Sequence, residues 1–173
     1  MLRLMTKTFS LAAATALSLT AGAALAAEPV TIAPIEIGEA LADRADEIGE
    51  REFDRLREIL RGDLERELTG HLGDSGSTLY VTIVDAEPNR PTMEQMHDTP
   101  GLSMRSLSIG GANIEAELVS ASGEKLESYG YAWHSYNITH VIGAGTWTDA
   151  RRAFRRFARD VGEGIAERNG EES

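Results

Sequence analysis

Three short stretches of this sequence carry residue types that do chemistry in other settings. Gly73-Asp74-Ser75-Gly76 spells part of a serine-protease nucleophile loop. That chemistry also needs a histidine base, a carboxylate to orient it and an oxyanion hole at fixed geometry. Lying between a helical and an extended pattern, the tetrapeptide reads instead as a turn in which glycine and aspartate set the backbone. Gly143-Ala144-Gly145 precedes a helical pattern, as phosphate-binding turns do. A dinucleotide fingerprint would continue to a glycine at 148, where this chain has Thr148, and it would need a parallel βαβ unit and, for a Walker motif, a lysine that is absent. His71, His97, His134 and His140 are the four histidines, and none shows an HExxH-type ligand spacing. His134 and His140 meeting Asp149 across a turn would be the best arrangement open to a metal; the expectation is no metal and no cofactor. Asn137-Ile138-Thr139 is a glycosylation sequon by spelling only, given the bacterial style of the N-terminal segment.

The densest charged motif is GAGTWTDARRAFRRFARD, residues 143 to 160. Steps of 100° per residue put Ala150, Phe154, Phe157, Val161 and Ile165 on one side of a helix. Arg151, Arg152, Arg155, Arg156 and Arg159 fall on the other. Arginine is a strong helix former and an exposed face must be polar, so a solvated structural face is the simpler reading. Five arginines with no acid between them exceed that need. The functional reading is a docking site for an acidic partner, for the first helix's own carboxylates, or for an anionic envelope polymer.

Tyr129, Tyr131 and Trp133 form a second candidate surface, sharing one face of a strand, with Leu126, Ser128, Gly130, Ala132 and His134 on the other. The small residues would let a helix approach, which places the aromatic row on the open face, available to stack a ligand or partner. Against this, a loop could cover the row or the register could bury it, since exposed apolar patches are rare. A third candidate is a ligand-binding or hydrolase-type site in the 85 to 101 segment, using His97, Asp98 and His134.

The elements that must hold these residues follow from periodicity. Val30-Thr31-Ile32 and Ile35-Glu36-Ile37 flank Pro34, which suits an edge or irregular strand. From Asp43 to about His71, Phe53, Leu56, Leu60, Leu64 and Leu68 recur at helical spacing, with Gly49 a possible break and Gly70 and Gly73 at the end. Leu79, Val81 and Ile83 alternate with polar partners as in a half-buried strand. Residues 85 to 101 hold three prolines and no period, so they read as a long loop of the kind that is often functional or mobile. Leu102 to Ile109, a bend at Gly110-Gly111 and the alternating Ala112 to Leu118 give one strand of a hairpin, and Lys125 to Tyr136 gives its partner. Thr146 with Asp149 resembles a capping box for the last helix. These elements predict one α+β domain over residues 27–168: a mostly antiparallel sheet of three to five strands with two helices on one face, followed by a disordered tail at 169–173.

Arg3 and Lys7, an apolar run from Phe9 to Leu25 and the Ala24-Leu25-Ala26 pattern describe a cleaved signal peptide over residues 1–26. The run is interrupted too often for a membrane span. With no cysteine, neither a lipid anchor nor a disulfide is expected, and the product is periplasmic or secreted. The chain carries a net charge of −11, and removing residues 1–26, which hold two cations and no acid, makes it −13. Nucleic acid and anionic membranes are therefore disfavoured partners.

PVTIAPIEI before an acidic helix, VTIVDAEPNRPT, PGLSMRSLSIGGANIEAELVSASGEKL and TWTDARRAFRRFARDVGEGIAER together resemble a family of small bacterial cell-envelope proteins of unknown function, many of them lipoproteins. The resemblance spans Pro29 to Arg168. It implies an exported domain of this topology and brings no catalytic residues with it. The chain departs from the lipoprotein members in lacking the lipid-bearing cysteine. These readings together make it a non-enzymatic binding or accessory domain for another envelope component.

Overall fold

The computed structural model describes residues 28–170, so the signal segment expected over residues 1–26 and residues 171–173 of the expected tail lie outside the described residues. The apolar stripe Phe53, Leu56, Leu60 and Leu64 builds α3 (Glu50–Glu67) and is buried. Gly49, at φ +96°, breaks α3 from two one-turn helices, α1 (Glu39–Ala42) and α2 (Ala45–Ile48). That conformation costs a glycine little and other residues much. Along α3 the exposed Asp54 and the buried Asp63 pair with Arg57 and Arg66, each at 2.8 Å. Arg57 and Arg61 also donate to the carbonyls of Ile35 and Ala33, tying α3 to the neighbouring sheet edge.

That edge is β1 (Val30–Ile32) and β2 (Glu36–Ile37), split around Pro34 and both parallel to β3 (Ser77–Glu87). Parallel pairing requires a crossover, which α1 to α3 supply. Next to β3 lie β4 (Gly111–Val119) and then β5 (Lys125–His134), both antiparallel to their neighbours. The sheet order is β1-β3-β4-β5, with β2 beside β3. Leu79, Val81 and Ile83 of β3 and Ala112, Ile114, Ala116 and Leu118 of β4 are buried on one face. The last helix, α5 (Thr148–Arg168), covers that face beside α3, burying Phe154, Phe157, Val161 and Ile165. The domain is a two-layer α+β fold with an open, mixed five-stranded sheet.

The 85–101 segment is not a long loop. A bulge near Val84 carries β3 on to Glu87, and α4 (Met93–Asp98) opens with a complete capping box. The Gln95 N–H donates to Thr92 Oγ1 at 3.2 Å and the Thr92 N–H to Gln95 Oε1 at 3.1 Å. Thr92→Ala is expected to cost about 1 kcal/mol. A shift in the denaturant midpoint checks this, and an unchanged midpoint counts against the cap.

Leu102 to Ile109 does not join the hairpin: β4 begins at Gly111, and the buried Asn89 side chain packs against Gly110 just before it. A Cβ on Gly110 would stand 2.6 Å from Asn89 Nδ2, and one on Gly111 would stand 2.3 Å from the Trp133 carbonyl oxygen. The paired glycines let the chain pass both neighbours. The stretch before them is held instead by Arg90, which donates to the carbonyls of Ala144 and Met104, and by the Ser108 N–H to the Asn89 carbonyl.

Candidate docking surface

The apolar side of α5 is fixed in the core, so its opposite side must face water. Arg151, Arg155, Arg156 and Arg159 are exposed there, and among the described residues none has a hydrogen-bond or ion-pair partner. Arg152 alone is engaged, donating to Asp149 Oδ1 at 2.9 Å. The α3 carboxylates do not neutralise the row: Asp54 and Asp63 pair within α3, and Glu52 accepts from Trp147 Nε1 at 2.6 Å. At the helical rise, Arg151, Arg155 and Arg159 stand about 6 Å apart along the axis.

A buried polar clamp holds the first turn of α5. The expected Thr146/Asp149 capping box does not form. Asp149 and Asn89 are both fully buried and bond reciprocally: the Asp149 N–H donates to Asn89 Oδ1 at 2.8 Å, and Asn89 Nδ2 donates to Asp149 Oδ2 at 2.6 Å. The helix is thus capped from a distant turn, and Asp149 serves that cap.

The aromatic row faces the helices, which overturns the open-face expectation. Tyr129, Tyr131 and Trp133 are half-buried and lie opposite Ala116, Ile114 and Ala112, whose side chains belong to the core. Room for the rings comes from the alanines of β4 and from α5, where a Cβ on Gly164 would lie 2.8 Å from the Tyr129 ring. The small residues that matter are on the partner elements, and Ser128, Gly130 and Ala132 simply face solvent. Burial, then the hydrogen bond from the Tyr129 hydroxyl to Glu127, pushes the phenol above its ordinary value.

The histidines do not converge with Asp98. His97 and Asp98 are exposed on α4, while His134 lies on the open face of the sheet, 3.9 Å from Asp85. Asp85 is also 3.6 Å from Arg44, whose guanidinium binds Glu47 and Glu87. Those two bonds raise the Arg44 pKa, and the Arg44 and Gln95 hydrogen bonds lower that of Glu47. The network joins α2, β3 and α4. His140 falls in the 3-10 turn Ile138–Val141, its side chain outside the described residues. Among the described residues no group of three or more His, Cys, Asp or Glu is arranged to hold a metal ion. An open cleft of about 890 Å³ between the start of α3 and α4 is lined by Asp46, Glu50, Glu52, Glu94 and Asp98 with Arg51.

No known family profile matches the chain, and no curated protein matches it. Two solved structures are similar in arrangement. One is a candidate lipoprotein from Caulobacter crescentus CB15, 13% identical, with 83% of this chain and 93% of that one covered and a TM-score of 0.41. The other is a minor lipoprotein from Acinetobacter baumannii, 12% identical, with coverage of 82% and 94% and a TM-score of 0.37. At these values neither structure passes a function or a site residue to this chain.

What the described surface offers chemically is a row of fixed cations. No helix among the described residues is long and apolar enough to cross a membrane. The exposed large apolar side chains lie on other elements, none of them on α3 or α5. Arg55 of α3 adds to the basic surface beside Arg151, the two lining one small pocket. Nothing in the local sequence marks Arg55, because α3 reads as a helix of alternating sign until its neighbour is known.

Proposed function

We propose that this is an exported, non-enzymatic binding domain of the bacterial cell envelope, and that the arginine face of α5 docks an anionic envelope polymer. The observation that carries the reading is the set of four exposed guanidinium groups, Arg151, Arg155, Arg156 and Arg159, without a partner among the described residues. A protein interface normally has an apolar or aromatic centre. The exposed side of α5 has none, so a chain of repeated phosphate or carboxylate groups matches it better than a folded protein does. The net charge of −11 repels a broad anionic surface at long range, whereas a flexible polymer can follow one helix and avoid the acidic remainder. The export reading rests on Arg3, Lys7, the apolar run and Ala24-Leu25-Ala26. The competing enzyme reading is less well supported, since His97, Asp98 and His134 do not share a cleft.

The test is retention on immobilised polyphosphate and polyglutamate. Each exposed arginine contact is worth about 0.2–1 kcal/mol, so the triple variant Arg151→Gln, Arg155→Gln and Arg159→Gln is expected to bind roughly tenfold more weakly, with an unchanged melting temperature. Cross-linking in living cells should show the same loss of captured envelope material. Equal retention of the variant and wild type ends the proposal, and capture of a single acidic protein in place of polymer would reassign the face to that partner.

A further inference from the structure

Beside the exposed row, α3 and α5 enclose a pocket of about 100 Å³ lined by Arg55, Ile59, Trp147, Thr148 and Arg151, with the Gly145–Thr146 turn at one end. The two helices run parallel, so Glu52 meets Trp147 near their starts and Glu67 meets Gly162 further along. That register brings one arginine from each helix to the lining of one cavity. Neither Arg55 nor Arg151 has a hydrogen-bond or ion-pair partner among the described residues. Glu52, one turn before Arg55, is taken by Trp147. Two like charges sharing a pocket repel unless an anion lies between them.

Three N–H groups at the start of α5 are engaged within the chain. The Thr148 N–H donates to the Gly145 carbonyl at 3.3 Å, the Gly145 N–H to Thr148 Oγ1 at 2.8 Å and the Asp149 N–H to Asn89. The two arginine side chains are the charged donors that line the pocket. We infer that this pocket binds a phosphoryl group, held between Arg55 and Arg151. A carboxylate presents two oxygens in one plane and fills one guanidinium fork, whereas a tetrahedral phosphoryl group has oxygens for both helices. The volume equals the liquid share of about three waters, room for one terminal phosphoryl group. The pocket would anchor the polymer proposed above, and in that biological sense it rests on that reading. Its residues are separable from the rest of the row.

Titration of the purified chain with inorganic phosphate, followed by NMR of the arginine Nε–H signals, tests it. Saturable shifts of Arg55 and Arg151 are expected, without a matching response to acetate. Arg55→Gln and Arg151→Gln are each expected to weaken phosphate about tenfold, the loss of one charge-assisted bond, while Arg105→Gln, on the exposed 102–109 stretch, leaves it unchanged. A shift that rises linearly without saturation, an equal response to acetate, or unchanged affinity in both pocket variants overturns the assignment. Arg155→Gln with Arg159→Gln separates the two ideas, because it should weaken polyphosphate retention and leave inorganic phosphate binding intact. Loss of phosphate binding in that double variant would remove the pocket's independence and with it the assignment.

Discussion

Phe154→Ala and Phe157→Ala are each expected to lower the unfolding free energy by about 3–5 kcal/mol, the range for emptying a large aromatic site in a packed core. Phe154 is 0% and Phe157 is 1% exposed, and both lie where α5 closes over β4 and β5. Neighbours cannot readily collapse into the space. Ala112 and Ala116 of β4 are small and lie beside Trp133 and Tyr129 of β5 in the same core. Against a total stability of roughly 5–15 kcal/mol for a domain of this kind, either change would leave little folded protein at raised temperature. Chemical denaturation of each variant checks the value, with Arg156→Ala, in the same turn on the wet side, expected to stay within about 0.5 kcal/mol. A loss below about 1 kcal/mol for both phenylalanines would mean that α5 does not carry the core as described.

The two sides of α5 were legible from spacing alone because a helix repeats its faces whatever it packs against. The same holds for the α3 stripe and the alternating β3 and β4 residues. The β5 aromatics were misplaced for a related reason. Both faces of that strand alternate, and which face meets a helix depends on Ala112, Ala116 and Gly164, residues of other elements whose approach no local pattern encodes. The 85–101 segment misled in a different way. Its prolines suggest an irregular loop, yet Pro88 and Pro91 are buried, and Thr92 with Gln95 three residues on carries the capping-box spacing of α4. Arg55 and Asn89 were invisible for a third reason: each acts across a long sequence separation, on a neighbour that only the fold supplies.

Asn89 provides the second large expected effect. Asn89→Ala removes the acceptor for the Asp149 N–H and the donor to its carboxylate in one step. The first term is a lost helix cap, about 0.5–2 kcal/mol, and the second a lost hydrogen bond to a charged group, about 1.5–3 kcal/mol. Asp149 keeps Arg152, so part of its charge remains compensated, and a total of about 2–4 kcal/mol is expected. Asn89→Asp should be worse than its small volume change suggests, since it sets a second carboxylate where the amide donated at 2.6 Å. Cavity formation alone predicts the opposite order, with alanine the more damaging change. Denaturation of the two variants at neutral pH therefore separates a polar clamp from simple space filling: an aspartate variant as stable as wild type would show that the Asn89 amide is not what holds the first turn of α5 in place.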